Sequence, residues 1–524
     1  MLDSSSKSFN TLVDQSSLNS FEDRNKPKKN STILKNVDLN DDSKLIELYG
    51  KCETKFAFIV WKSSMHIPWV WPVTAPEKTE EEMNKDELIS YNWTKRRLFH
   101  EVLEERSFHL VSTIDGTYDL RFIISLANTE KEDFPNDLYS RFDRLHNINR
   151  FPQMTLINTK HSLARSIKAM SERFGEKDFS FHPNTFILPE DYQKLQQYSK
   201  ENPDVLFIKK PKFGGKGIEI SLYSNSQEIE NDSKYVVQEY ISNPCLINGK
   251  KFSFRLYVLI TSLNPLILYI HNDGVIKFGK SNFSNDRKTF TEDYISNHVT
   301  NHPSNTAPST EFSSDFKEDD VGRRWSVKAL LRYLDKNNIY PSDLLWSKIK
   351  DVVAKTIFSV ELDVLSKTNE LMKSESNGFQ LLGLDIDLLD NFQPIFIEGN
   401  VNPLLGSAIP PFENYHNLQV IRDTFDLIGH TVYNSTTMKE DIKTRLLQQK
   451  AELIVKQSKN IKHLDEQSLD KLVQYEFENI HRANYELIYP TKESIDTLSK
   501  FHLNKESILN QVLHRYVKSD GNDY

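Results

Sequence analysis

The chain has 524 residues, 38% hydrophobic and 27% charged, enough for two to four ordinary domains or one large multi-lobed enzyme. A net charge of −8 excludes a globally basic nucleic-acid binder, and no apolar run approaches the ~20 residues of a membrane span. Two cysteines without a CxxC pair exclude a disulfide framework and a thiolate-built zinc site; with an N-terminus that lacks signal-peptide features, they predict a cytoplasmic protein.

Residues 1–44 are rich in Ser, Asn, Asp and Lys and predict a disordered arm. An N-terminal α/β domain is expected over 45–145, with strands at 55–64 (KFAFIVWKSS) and 121–127 (RFIISLA) and a charged helix at 80–107. The core is expected over 146–435. Its first helix carries Leu163, Ile167 and Met170 at helical spacing, and a strand, a proline stop and a second helix follow in HPNTFILPEDYQKLQQYS (182–199). Short β-rich runs fill 205–280, separated by tight turns at NGK (248–250) and NDG (272–274). A loop is expected over 301–322, helices over 324–336 and 342–366, and a hairpin over 379–403. The tail, 436–524, reads as a helical, charged extension.

Three segments carry chemistry. In FIKKPKFGGKGIEI (207–220) a strand delivers Lys209 and Lys210, and Pro211 stops it. Gly214, Gly215 and Gly217 around Lys216 then let the backbone approach phosphates that lysines neutralise. Ser or Thr does not follow Lys216, so this is no P-loop, and a basic hairpin on an exposed edge explains it equally well. In the 379–403 hairpin, Asp385 lies on one strand, and Glu398 and Asn400 share a face of the next. Three converging oxygen ligands suit Mg²⁺; a solvated face is the alternative, against which the apolar flanks argue. Between these segments, Gln238, Glu239 and Tyr240 end an apolar strand, a geometry that offers backbone groups to an adenine edge. Lys251 and Arg255, four apart, point to one face of an extended strand, as phosphate ligands or as a solvated stripe.

In this order the segments resemble the tubulin–tyrosine ligase-like family, amino-acid ligases with an ATP-grasp core. NRFPQMTLINTKHSL is similar to the opening motif of that core, and HPNTFILPED to its P-x-T-[FY]-x-L-P strand. Lys210-Pro211 with GKGI (215–218) resembles the phosphate-covering hairpin, VVQEYI with NPCLINGKKF the hinge, and NHVTN (297–301) the H-L-T-N segment. FQLLGLDIDLLDNFQPIFIEGNVNP resembles the metal hairpin, and FENIHRANYELIYPT (477–491) a segment of the glutamylating branch.

The resemblance implies an α+β fold: an ATP-grasp-like ligase core with antiparallel sheets, flanking helices and a helical C-terminal extension. It implies ATP and Mg²⁺, and an amide or isopeptide bond made on an acidic protein tail through an acyl phosphate, with tubulin glutamylation foremost. Lys160 and Lys210 would hold the phosphates beneath Gly214, Gly215, Lys216, Gly217 and Ile218, while Gln238, Glu239 and Tyr240 cradle the adenine. Lys251, Arg255 and Lys277 would meet the acyl-phosphate charge or the acidic acceptor, Thr300 and Asn301 the acceptor, and Asp385, Glu398 and Asn400 the Mg²⁺. The implied partners are tubulin or another acidic-tailed protein and a free amino acid, glutamate favoured, with no nucleic acid or membrane. The protein is expected to be a monomer associated with the cytoskeleton, including a cilium or basal body where the cell has one.

Four positions depart from the family pattern. Ser253 stands where K-F-D-[LI]-R has an acid, Lys277 where arginine is common, Gln380 in place of Glu and Gln153 in place of Gly. The lost carboxylate at 253 predicts slowed chemistry, raised by Ser253→Asp. The same loss, with Gln380, favours the rival class, a tubulin adaptor without turnover, which the metal triad disfavours; a tyrosine or glycine ligase is the enzymatic alternative.

Overall fold

Parallel strands need long connections, and the widely spaced apolar runs at the start of the chain form that kind of sheet. In the computed structural model, β1 (Phe56–Trp61), β2 (His109–Leu110), β3 (Asp119–Ser125) and β4 (Asn147–Ile148) pair in the order β2-β1-β3-β4, all parallel. The structure describes these strands, positions 102 and 139, and residues 147–213, 219–284, 300, 320–372, 378–403, 405, 411–428 and 466–519. They belong to one compact unit; the other, 1–55 with 115–117, lies outside the described residues. So do the expected arm, nearly all of the helix expected at 80–107 and nearly all of the loop expected at 301–322.

A second sheet is antiparallel throughout. Helix α1 (Lys160–Phe174) buries Leu163, Ile167 and Met170 on one face, as their spacing predicts, and also Lys160 in its first turn. Then come β5 (Thr185–Ile187), α2 (Tyr192–Glu201), β6 (Phe207–Pro211), β7 (Ser221–Tyr223) and β8 (Tyr235–Glu239), with strand order β5-β8-β6-β7.

The third sheet holds the core. Its strands are β9 (Leu246–Ile247), β10 (Lys250–Leu263), β11 (Leu266–Phe278), β12 (Arg324–Ser326), β13 (Gln380–Leu388), β14 (Pro394–Asn400) and β15 (Tyr485–Tyr489). The order is β12-β11-β10-β13-β14, with β15 on β11 and β9 on β10. Helices α3 (Val327–Lys336), α4 (Ser342–Phe358) and α5 (Glu361–Leu371) precede β13, and α6 (Pro411–Leu427) follows β14. Around β15 lie α7 (Glu466–His481), α8 (Lys492–Leu498) and α9 (Ile508–Ser519).

Period-two alternation sorts this sheet into two unlike faces. Phe252, Phe254 and Leu256 on β10 join Ile276, Phe278, Leu384, Ile386 and Phe396 in the main core, packed against apolar residues of α3, α4 and α5. Lys251, Ser253 and Arg255 point the other way. Further along that second face, Tyr257, Leu259, Ile267 and Tyr269 enter a separate core with Val420, Leu472, Tyr475 and Tyr516 of α6, α7 and α9. One end of the face is therefore sealed by helices, and the other carries charge.

Three sequence expectations change here. The helix expected from 324 begins at Val327, because Arg324–Ser326 pairs with β11 and the Ser326 hydroxyl caps the helix by accepting from the Ala329 amide at 2.9 Å. The helix expected over 342–366 is two helices, α4 and α5. The helical extension has its helices, but between α7 and α8 the aromatic, β-branched run YELIY is β15, which extends the core sheet in register with β11.

Candidate active site

The register of the third sheet sets charges opposite one another. Arg255 on β10 lies across from Asp385 on β13, Asp385 across from Glu398 on β14, and Ser253 between Asp387 and Lys277. Burying a charge is costly unless it is paired, and most of the cations expected in the site meet a carboxylate. Arg255 donates two hydrogen bonds to Asp385, Nε to Oδ1 at 2.6 Å and Nη2 to Oδ2 at 2.8 Å. Lys277 Nζ stands 4.0 Å from Asp385 Oδ1, Lys251 Nζ 2.9 Å from Asp387 Oδ2, and Lys160 Nζ 3.8 Å from Glu398 Oε2. Asp385 is 2% exposed and Lys251 4%. A Cβ at Gly383 would lie 2.9 Å from Pro403 Cβ and 3.3 Å from Arg255 Cδ, so glycine there admits both side chains.

These neighbours tune the cations in opposite senses. Burial lowers Lys277 to about 8, and the nearby Arg255 pushes the same way against the pull of Asp385. Burial likewise lowers Lys210 to about 8, with Glu398 and Asp387 opposing and Lys160 and Lys251 reinforcing. For Lys251 burial also works against the charge, but Asp387 and Tyr240 outweigh it and hold the ammonium above its ordinary value.

The second sheet meets this floor through Lys210, which donates to Gln238 Oε1 at 2.7 Å. Gln238 Nε2 donates to Thr185 Oγ1 at 2.8 Å. His182 Nδ1 lies 2.9 Å from the Phe396 carbonyl, and the Phe396 amide donates to the Phe181 carbonyl at 2.7 Å, so the two sheets are stitched at β14. Burial lowers His182 to about 4, which keeps the ring neutral. Glu239 accepts from Asn184 Nδ2 and the Tyr198 hydroxyl, both at 2.9 Å. Tyr240 packs with Leu206, Ile208 and Leu222, and Lys251 Nζ lies 5.3 Å from its ring centroid. The segment expected at the adenine therefore ends β8 as read, with all three side chains engaged by protein groups.

Thr300 is buried, with Oγ1 2.5 Å from Ser253 Oγ. Gly214, Gly215, Lys216, Gly217, Ile218 and Asn301 lie outside the described residues.

Two departures from the family pattern gain a physical account. Gln380 Nε2 donates to the Val401 carbonyl at 2.8 Å and to that of Leu381 at 3.1 Å, bonds that a carboxylate cannot donate. Gln153, where glycine is usual, has φ 63°, a left-handed conformation that costs a side-chain-bearing residue about 1 kcal/mol. At Ser253 the structure adds neighbouring carboxylates that the reading along one strand did not include. Lys251 and Arg255 do not lack orienting acids, because Asp387 and Asp385 on the next strand supply them.

Sequence reasoning passed over Asp387, Arg324 and His182. Asp387 was detectable, since it stands two residues after Asp385 and must share its face. Arg324 was masked by its reading as helix; on β12 it pairs with Lys277, and Glu413 on α6 offsets both charges.

The donor set fits a hard divalent cation. It is oxygen only, and Asn400 Nδ2 donates to the Gly383 carbonyl at 3.2 Å, which fixes the side-chain amide. Asp385 would share such an ion with Arg255, which donates one bond to each of its oxygens. Among the described residues no three His, Cys, Asp or Glu side chains form a metal cluster; Asp385 and Glu398 are cross-strand partners, and Asn400 lies across from Gly383.

Two antiparallel sheets meeting over a buried mosaic of lysines, arginines and carboxylates define an ATP-grasp-like ligase fold. A model of the tubulin-tyrosine ligase family matches residues 140–440, and the chain belongs to that family. It is 34% identical to tubulin monoglutamylase TTLL4 of Homo sapiens over 291 residues, 55% of this chain and 24% of that protein. It is 29% identical to human tubulin polyglutamylase TTLL5 over 337 residues, 64% of this chain and 25% of the relative. With tubulin polyglutamylase TTLL7 of Mus musculus it shares 28% identity over 430 residues, 76% of this chain and 46% of the relative. The chain thus spans about a quarter of the length of the first two proteins.

Proposed function

We propose that the protein is an ATP-dependent ligase that joins the amino group of free glutamate to a side-chain carboxylate on the acidic tail of tubulin. The observation that carries this reading is the in-register array Lys277–Ser253–Asp387 and Arg255–Asp385–Glu398 at the floor of the cleft. Such an array can receive polyphosphate and carboxylate charge together. The names of the relatives, tubulin mono- and polyglutamylases, support the choice of substrate.

In this mechanism an acceptor carboxylate oxygen attacks the γ-phosphorus of ATP, the bond to the β-phosphate oxygen breaks, and ADP leaves. The glutamate nitrogen then attacks the acyl carbon, phosphate departs, and the amine loses its proton. No side chain acts as nucleophile; the protein supplies position and charge. Lys160 and Lys210 hold the phosphates, with Gly214, Gly215, Lys216, Gly217 and Ile218 sharing that role, and the end of β8 receives the base. Arg255, Lys251 and Lys277 balance the charge that builds on the transferring group, and Thr300 and Asn301 face the acceptor. Mg²⁺, held by Asp385, Glu398 and Asn400, would neutralise phosphate charge when bound. The protein acts as a monomer on the cytoskeleton; among the described residues no helix is long and apolar enough to cross a membrane.

Competition among labelled amino acids tests the reading. With ATP and tubulin, glutamate should be incorporated well above tyrosine and glycine. Preferential incorporation of either of those would reassign the donor.

A further inference from the structure

Asp387 has no part in the mechanism above, yet it occupies its centre. Its carboxylate lies 2.9 Å from Lys251 Nζ, and both side chains are buried. On its other side Lys251 meets the Tyr240 ring, 5.3 Å from the centroid, at the end of β8. The ammonium is thus clamped where the two sheets meet, between a carboxylate of the third and an aromatic face of the second. Lys210, the phosphate lysine of β6, also feels both Asp387 and Lys251.

The register adds a second fact. Ser253 is the direct cross-strand partner of Asp387, and it precedes Arg255 and follows Lys251 by two residues on the same face. Side chains paired across antiparallel strands stand about 5 Å apart at Cβ. A carboxylate at 253 could therefore reach the ammonium that Asp387 reaches.

We propose that Asp387 is a positioning residue that aims Lys251 at the transferring charge, and that its carboxylate can be moved across the strand pair to position 253 without loss of function. The proposal rests on the ligase reading for its kinetic arm only. Serine at 253 is then no defect: one buried carboxylate serves this cation, and it is carried by β13. A purely structural ion pair would make a different forecast, because its removal should cost stability and leave a folded variant with ordinary turnover.

Four proteins decide the matter: wild type, Asp387→Asn, Ser253→Asp, and the exchange Ser253→Asp with Asp387→Ser. Glutamate incorporation into tubulin is measured as kcat and KM, Mg-ATP binding by calorimetry, and folding by circular dichroism. Losing the carboxylate charge opposite the Lys251 ammonium should cost Asp387→Asn about ten- to a hundredfold in kcat and roughly tenfold in ATP affinity. Ser253→Asp alone should also be impaired, since it sets two carboxylates directly opposite each other. The exchange should return both quantities to within about threefold of wild type, which a merely structural pair has no reason to do. Folded Asp387→Asn with wild-type kcat and ATP affinity would overturn the proposal, as would an exchange variant no better at binding ATP than Asp387→Asn. If wild type ligates no amino acid, the proposed function fails, and the ATP-affinity series still decides the role of Asp387.

Discussion

Arg255 and Asp385 are the doubly bonded pair of the site, and removing either leaves the other buried without its nearest counter-charge. Arg255→Lys keeps the charge but loses the planar fork that makes both bonds to Asp385. Turnover should fall about a hundredfold with the fold retained, measured as kcat beside a thermal melt. The double variant Glu398→Ala, Asn400→Ala should lose most ATP-dependent activity and keep its circular dichroism spectrum; wild-type ATP turnover would refute the metal assignment. At this scale the isolated charges were legible from local pattern. Lys251, Arg255, Asp385 and Glu398 all stand where alternation along a strand puts them. What spacing within one strand could not tell was which charge faces which across strands. Alternation puts Asp387 on the face of Asp385, but only the pairing of β13 with β10 sets it opposite Ser253.

Among elements, the C-terminal helix α7 is held to the sheet by a buried acid. Glu478 accepts from Gln474 Nε2 at 2.7 Å, from the Thr261 hydroxyl at 2.9 Å and from the Tyr269 hydroxyl at 3.1 Å. Burial pushes its pKa up from an ordinary 4.5 to about 7, against those three donors and Lys471. A carboxyl whose native pKa is raised binds more protons folded than unfolded, so stability declines as pH climbs from about 4.5 to about 7. The shift corresponds to about 3 kcal/mol. Glu478→Gln should flatten the pH dependence of Tm over that window and leave the variant the more stable protein at pH 8. An unchanged slope would mean the acid titrates normally. The strand beside this helix was illegible for a different reason. YELIY sits in a charged, proline-poor tail that reads as helix, and only pairing with β11, more than two hundred residues earlier, makes it β15.

For the molecule as a whole, a net charge of −8 coexists with a cluster of buried or half-buried cations, Lys160, Lys210 and Lys251 in mutual range and Arg255, Lys277 and Arg324 likewise. The proposed function requires these cations to draw an acidic tail despite the net negative charge. Exposed charges are screened over about 8 Å at physiological salt. Binding of a tubulin tail peptide should weaken steadily as salt rises, and a peptide with its carboxylates amidated should lose most of its affinity. Affinity indifferent to both changes would remove the acidic acceptor from the account. The order of motifs from Lys160 to Asn400 made the ligase core legible, because each motif keeps its own local pattern. The two-faced sheet and its helical seal depend on contacts between distant segments.

The central claim is bond formation, and the most direct measurement is mass spectrometry of tubulin tails after incubation with the purified protein, ATP, Mg²⁺ and glutamate. The account predicts peptides heavier by one or more glutamyl residues, absent without ATP and nearly absent with Arg255→Lys. Tubulin and ATP both bound, with every tail peptide at its original mass, would contradict it and identify the protein as an adaptor.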